Sequence, residues 1–324
     1  MSLLVIDRET VRDLLPMDEC IDLMREAMVA LSSGETKQVL RQIIPLEGGA
    51  AFGVMPGAVP QVFGAKLISV FPANFALGLQ SHQGFIALFD PANGATVAML
   101  HAGEVTAIRT AAASAAATRV LARENAHRLA ILGYGEQAET HARAMALVRP
   151  LSGIMLWGRS PDRAAAVARR IEGELSVPVT VTRTVRDAVA EADIVCAVSA
   201  APTPILEGAW IAPGTHVNLV GSSTAATREA DDALVARARV FADHREGVLR
   251  QGGEVIHAIA AGLIDESHVL GEIGEVMAGT LPGRRADDDL TIYKSLGAVV
   301  QDLFSGWRVY RRALAEGRGV TAPF

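Results

Sequence analysis

The chain has 324 residues, of which 50% are hydrophobic and 20% charged, with a formal charge of −6 and two cysteines. At about 150 residues per domain this length suggests two domains, each able to bury a core without covalent staples, so a disulfide scaffold is excluded. Mild acidity with no Lys/Arg-rich run argues against nucleic acid or anionic lipid as a partner. No apolar stretch approaches the roughly 18 residues of a membrane span, and the opening MSLLVIDRE meets Asp7 and Arg8 too early for a signal peptide. Cys20 and Cys196 lie far apart without CxxC spacing and read as reduced thiols. The expectation is a cytoplasmic protein whose partners are small molecules, with no nucleic acid and no membrane.

Residues 16 to 33 place Cys20, Ile21, Met24, Met28 and Leu31 at helical spacing behind Pro16 and Asp18. The segments QVLRQIIPL, AAFGVMPGAV, FGAKLISVFP and GFIALFD then read as strands, punctuated by Gly48-Gly49, Pro56-Gly57, Pro72 and Pro91. From Gly103 the pattern turns helical, and Ala supplies seven of the eleven residues from 107 to 117. Beyond residue 128, RLAIL, GIMLW, PVTVT, DIVCAVS, THVNLVG and ARVFAD are short apolar strands, the first four alternating with helical segments. That alternation predicts a doubly wound α/β domain on a parallel sheet buried on both faces. Thr291 to Glu316 reads as one helix, long enough to leave this domain and pack on the N-terminal part.

Gly133-Tyr134-Gly135-Glu136-Gln137-Ala138 follows the strand RLAIL and opens a helix. The first Gly permits a tight turn, the second lets the backbone approach a pyrophosphate, and Ala138 permits close helix packing, while the helix N-terminus offers N–H donors. GxGxxA alone is weak, but the strand–turn–helix context is what dinucleotide binding requires. About 20 residues on, where an NAD site commonly places an acidic residue, stand Gly158-Arg159-Ser160, with Arg163 one turn later. Arg159, Ser160 and Arg163 therefore favour NADP(H), with NAD(H) as the alternative; the plain reading of Arg159 is a solvated surface arginine.

Arg41, Lys66 and Arg109 are cations set in apolar strands or an Ala-rich helix. Singly, each suits a solvated face; together they can clamp a carboxylate, with arginine forks to match its geometry and a lysine to donate a proton. His216 and His244 show no metal-ligand spacing, so no metal is expected. His82, Trp157, Trp210 and Trp307 read as packing or surface residues, and Asp287 to Asp289 as a solvated loop or helix start.

The segments MPG (55–57), GAKLISVFPAN (64–74), LQSHQGFIALFDPANG (79–94), VTAIRTAAASAAATRVLA (105–122), GYGEQA (133–138), WGRSPDRA (157–164), HVNLVGSS (216–223), GEIGEVMAGTLPGR (271–284) and YKSLG (293–297) together resemble the ornithine cyclodeaminase/mu-crystallin family. The likeness covers nearly the whole chain. It implies a homodimer built from an α+β substrate and dimerisation domain (1–115 and 305–324, completed by the C-terminal helix) and a Rossmann NAD(P)-binding domain (116–304). It also implies that Lys66 is the active-site lysine, that Arg109 of RTAAAS binds the substrate carboxylate with Arg41, and that Met55, Ser81 and Ser223 line the substrate site. Thr110 and Asn74 lie near cofactor or substrate by the same likeness, and Ser199, Gly221, Ser295 and Gly297 join Gly133, Gly135, Glu136, Gln137 and Ala138 in the cofactor site.

Two departures from the family pattern stand out. Cyclodeaminases of the family carry an acidic residue where this chain has Ser223, and serine can neither accept a proton at neutral pH nor hold a distal ammonium. Ketimine and pyrroline-2-carboxylate reductases have a similar non-acidic position, so the resemblance implies NADPH-dependent reduction of Δ1-pyrroline-2-carboxylate or Δ1-piperideine-2-carboxylate to proline or pipecolate. The alternatives are ornithine cyclodeamination with bound NAD+, an alanine-dehydrogenase-like activity, and a non-catalytic NADPH-dependent binding protein. The second departure is His101-Ala102-Gly103-Glu104, where relatives commonly have Asp-Gly, and the sequence offers no function for it.

Overall fold

Short apolar runs without polar alternation suit strands covered on both sides, and those beyond residue 128 are such strands in the computed structural model, which describes residues 2–323. Arg128–Leu132, Ile194–Ala197 and His216–Leu219 belong to one eight-stranded sheet. Its strand order is Val179–Val181, Gly153–Trp157, Arg128–Leu132, Ile194–Ala197, His216–Leu219, Thr291–Lys294, Arg239–Ala242, Val269–Glu272, and every pairing is parallel. The order reverses between Arg128–Leu132 and Ile194–Ala197, the kind of switch point beyond whose carboxyl ends doubly wound sheets bind ligands.

This sheet and its helices form one of the two units into which the chain divides, Thr110–Gly297; the other is Met1–Arg109 with Ala298–Phe324. The second unit carries a mainly antiparallel sheet in the order Val320–Pro323, Ser2–Ile6, Thr96–His101, His82–Phe89, Val62–Val70, Ala51–Val59, with Lys37–Gln38 and Gln42–Pro45 both paired to the last of these. Along Val62–Val70 the even residues Gly64, Lys66 and Ile68 are buried and the odd residues Phe63, Ala65, Leu67 and Ser69 are not, the period of two that a strand imposes. Helix Val299–Glu316 packs on this sheet and on helix Met17–Ser32. Its approach is close: a Cβ on Gly57 would lie 2.5 Å from Val299 Cγ1, and one on Gly64 would lie 2.1 Å from the Ala87 carbonyl oxygen and 3.1 Å from Leu303.

Two expectations fail here. Thr291 to Glu316 is not one helix: Thr291–Lys294 is a central strand of the parallel sheet, and the helix starts only at Val299. Periodicity cannot separate a short buried strand from a helical turn; Thr, Ile and Tyr suit the strand, and Gly297 at φ +87° breaks the chain before the helix. QVLRQIIPL is likewise two short strands, leaving Arg41 in the connection between them. The structure adds the strands Ser2–Ile6 and Thr96–His101 and the edge strand Val320–Pro323. It also accounts for Glu104: its buried carboxylate accepts from Arg8 Nε and Arg12 Nε, both at 2.8 Å, tying helix Arg8–Leu14 to the start of helix Ala102–Leu121.

The Ala-rich helix ends inside the Thr110–Gly297 unit, where its last carbonyls need donors. Arg149 Nη2 donates to the carbonyls of Thr118 (3.1 Å), Arg119 (3.3 Å) and Ala122 (3.0 Å), its Nε to Arg123 (3.0 Å), and Arg284 Nε to Leu121 (2.8 Å). Cations at a helix C-terminus also suit the helix dipole. Among the described residues no helix is long and apolar enough to cross a membrane, and no three His, Cys, Asp or Glu side chains cluster as a metal site. Replacing Arg149 by Met keeps the buried stem but removes its donors to the Arg119 and Ala122 carbonyls, whereas the Thr118 and Arg123 carbonyls keep backbone partners and that of Leu121 keeps Arg284; it should lower unfolding stability by about 2 kcal/mol, read from the denaturant midpoint.

Candidate active site

Lys66 and Arg109, far apart in sequence, meet within the Met1–Arg109 and Ala298–Phe324 unit on the carboxylate of Asp302. Lys66 Nζ lies 3.2 Å from each Asp302 oxygen and 3.2 Å from Thr106 Oγ1; Arg109 Nε donates to Asp302 Oδ1 at 3.1 Å and its Nη1 to Gln301 Oε1 at 2.6 Å. Lys66 is 3% exposed, Arg109 4% and Asp302 0%. Each position has a local cause. Lys66 takes the inward register of its strand, directly across from Met55 and Ile86; Arg109 lies on helix Ala102–Leu121; Gln301 and Asp302 lie in the first turn of helix Val299–Glu316.

Two buried cations therefore share one carboxylate, and the charge of Arg41 also bears on Lys66. Burial lowers the Lys66 ammonium to about 8; Asp302 opposes that shift, while Arg109 and Arg41 add to it. An excess of positive charge in a site of reduced dielectric attracts an anion. An ammonium with a pKa near 8 is still protonated at neutral pH and yields its proton more readily than an exposed lysine, which suits a general acid. Arg109 Nη2 makes no hydrogen bond among the described residues, which leaves one arm of the fork for a carboxylate. Ser81 Oγ lies 2.9 Å from His82 Nδ1; desolvation, with Lys66 and Arg109, holds the His82 ring well below its usual range, so it is neutral. Asn74 Nδ2 donates to the Gln80 carbonyl at 3.1 Å.

The Thr110–Gly297 unit contains the other expected group. Gly133 leaves strand Arg128–Leu132 at φ +138°, and a Cβ there would lie 2.9 Å from the Val198 carbonyl oxygen. Gly135 is the N-cap of helix Glu136–Ala146 and supplies no side-chain cap; Glu136 and Gln137 form its first turn, and Ala138 is fully buried. Backbone donors at an uncapped N-terminus behind a strand end at the switch point fit a dinucleotide pyrophosphate. Arg159 and Arg163 are exposed and Ser160 is the N-cap of helix Pro161–Leu175. Gly158 permits this arrangement, since a Cβ on it would lie 2.0 Å from the Tyr134 ring. Thr110 is buried, its carbonyl accepting from Ser114 Oγ at 3.2 Å.

Ser199, Gly221 and Ser295 sit at the carboxyl ends of neighbouring strands, around groups the sequence reading did not single out. Glu229 accepts from Ser199 N (2.7 Å), Ser199 Oγ (2.7 Å), Gly221 N (2.7 Å) and Ser222 N (3.3 Å). Glu254 accepts from Glu229 N at 3.0 Å and pairs with Lys294 Nζ at 2.8 Å, which also donates to the Ser222 carbonyl at 2.7 Å. Burial raises the Glu229 carboxyl above its usual range, against the opposing effect of Ser199 and Lys294. Ser223 follows this knot and is partly exposed; Gly297 N donates to Asp243 Oδ2 at 2.6 Å. Lys294 and Asp302 share the one signal that could have found them, a charge inside an apolar run.

The chain matches the ornithine cyclodeaminase/mu-crystallin family over residues 2–317. It is 32% identical to a Δ1-pyrroline-2-carboxylate reductase of Bacillus cereus over 327 aligned residues, covering 99% of this chain and 100% of that protein. It is 34% identical to the ketimine reductase mu-crystallin of Mus musculus, covering 86% of this chain and 85% of that one. Among solved structures, the Thermococcus litoralis Δ1-pyrroline-2-carboxylate reductase in complex with NADH and L-proline superposes with a TM-score of 0.95 at 32% identity, covering 98% of this chain and 99% of that chain.

Proposed function

The chain belongs to the ornithine cyclodeaminase/mu-crystallin family, and from that premise we propose that it reduces a cyclic imine carrying a 2-carboxylate, Δ1-pyrroline-2-carboxylate or Δ1-piperideine-2-carboxylate, with NADPH as the preferred donor. The observation that carries this reading is the buried site in which Lys66 and Arg109 share, among the described residues, one carboxylate, Asp302. It has charge for one carboxylate and an acid for one nitrogen. The relatives named above are imine-reducing oxidoreductases, and one of them binds NADH. Ser223 offers no carboxylate for a distal amine, which sets the cyclodeaminase chemistry aside.

Arg109, with Arg41, holds the substrate carboxylate and so fixes the orientation of the ring. Lys66 gives a proton to the imine nitrogen, because an iminium accepts hydride at carbon far more readily than a neutral imine. A reduced nicotinamide, when bound, supplies that hydride. The C=N bond becomes one new C–H and one new N–H, and Lys66 recovers its proton from water. Met55 and Ile86, facing the same side of the sheet as Lys66, keep its surroundings apolar and its acidity raised. Division of labour follows the two units: the one with Lys66 and Arg109 binds substrate, and the one with Gly133 and Gly135 binds cofactor.

The preference for NADPH rests on Arg159, Ser160 and Arg163, which stand where an acidic residue would favour the bare ribose. Two further assignments complete the proposal. Cys20 and Cys196 are buried free thiols, in keeping with a cytoplasmic protein. A homodimer would cover the sheet face opposite the helices, where Phe63 stacks on Phe89 at 5.3 Å among partly exposed Ala65 and Leu67, and where Ile44 stands exposed on the edge strand. Apolar surface of this kind marks an interaction face.

Four measurements check this reading. NADPH should lose its reduced-nicotinamide absorbance in the presence of either cyclic imine; Lys66→Ala should abolish turnover with NADPH affinity kept, and proline formed from ornithine with NAD+ would instead establish the lyase. The wild-type kcat/KM should fall as pH rises past about 8, because the lysine must be protonated to act and its proton leaves there. Arg159→Ala should raise KM for NADPH about tenfold and leave NADH nearly unchanged, through the loss of one charge-assisted phosphate contact; equal effects on both would remove the NADPH assignment. Light scattering should report a dimer for the wild type and a monomer for Phe63→Glu.

A further inference from the structure

We propose that Asp302 is the positioning residue of this site, holding Lys66 and Arg109 in one geometry and keeping Lys66 a proton donor; its chemical role rests on the imine-reductase reading. The carboxylate is fully buried and both its oxygens are committed, Oδ1 and Oδ2 to Lys66 at 3.2 Å and Oδ1 also to Arg109 at 3.1 Å. A buried pair with this stoichiometry is not explained by stability, because burying ions costs about as much as their attraction returns and apolar replacements are often as stable. What the arrangement secures is protonation and direction. Without a counter-ion, a lysine 3% exposed would shed its proton to escape desolvation.

The groups facing Lys66 come from every surrounding element. Asp302 comes from helix Val299–Glu316, Thr106 and Arg109 from helix Ala102–Leu121, Arg41 from the connection before Gln42–Pro45, and neutral His82 from the adjacent strand. On helix Met17–Ser32, Cys20 is within the field of Arg109 but remains a thiol, pushed up to about 12 by burial. Arg109, Arg41 and desolvation all work against the ammonium, and Asp302 works for it. The helix that carries Asp302 is pressed onto the sheet at Gly57 and Gly64, where no side chain intervenes, so the carboxylate has little freedom to move away. Gln301 beside it orients the Arg109 fork through Nη1 without adding a second negative charge to the site.

The test uses the fact that Lys37, Lys66 and Lys294 are the only lysines in the chain. In protein carrying 13C at lysine Cε, the Lys66 resonance, assigned by its loss in Lys66→Arg, should titrate near 8 in the wild type. In Asp302→Asn it should titrate lower by about one pH unit or more, as expected for removing an opposite charge within a few ångströms. The alkaline limb of kcat/KM for Δ1-piperideine-2-carboxylate should move down by the same amount. A merely structural carboxylate would change the melting temperature and leave both unmoved, which would overturn the proposal. Should Asp302→Asn not fold, Gln301→Glu adds a carboxylate against Arg109 and should move the Lys66 titration upward and raise KM; no movement there would equally overturn it. If the wild type reduces no cyclic imine, the functional reading fails, while the substrate-free titration still decides the role of Asp302.

Discussion

One carboxylate buried between two cations constrains much of the unit made of Met1–Arg109 and Ala298–Phe324. Asp302 can meet Lys66 only if the strand Val62–Val70 keeps the register that turns Lys66 inward, since a slip of one residue would expose it. It can meet Arg109 only if helix Val299–Glu316 lies close against the sheet, which Gly57 and Gly64 permit. The antiparallel sheet, the long helix and the last helix thus each contribute one partner to an interaction that no two of them could complete. Its unequal charge is also what the proposed anion site rests on, because a balanced buried pair would have no use for an anion.

The Thr110–Gly297 unit repeats this logic with opposite sign. Lys294, Glu254 and Glu229 bury one cation with two carboxylates, and the surplus negative charge is absorbed by donors from Ser199, Gly221 and Ser222. Those donors belong to the loops that leave neighbouring parallel strands, so the network ties the strand ends together where the sheet order reverses. A Cβ on Gly221 would lie 1.9 Å from the Ser199 carbonyl oxygen and 2.6 Å from Glu229, which shows how tightly the loops are drawn in. In each unit a buried lysine, Lys66 in one and Lys294 in the other, stands against a buried carboxylate rather than alone, as the cost of an uncompensated buried charge requires.

Much of this was legible in the residues. The strand–GxGxxA–helix pattern located a glycine turn between a parallel strand and a helix, since the turn's geometry depends on local chain order alone, and Lys66 and Arg109 stood out as cations in apolar surroundings. Asp302 and Lys294 did not, although each is a charge in an apolar run, because the segment around them was read with a single helical period. The true boundary lies at Gly297: TIYK is a strand closed in by neighbours that join it from distant parts of the chain, and periodicity carries no information about those neighbours. The departure His101-Ala102-Gly103-Glu104 was visible but mute until Arg8 and Arg12 were seen to converge on Glu104.

Sequence alone determined what is local or compositional: a doubly wound dinucleotide domain, an α+β partner unit, three cations suited to a carboxylate, and the missing acid at Ser223. Only the tertiary structure decided which charges meet, because ion pairing depends on distance in space, and Lys66 and Asp302 are 236 residues apart along the chain. It decided protonation for the same reason. The pKa of a lysine is set by what surrounds it, and the burial, the carboxylate and the arginines that bring Lys66 to about 8 all arrive from elements far from it in the sequence.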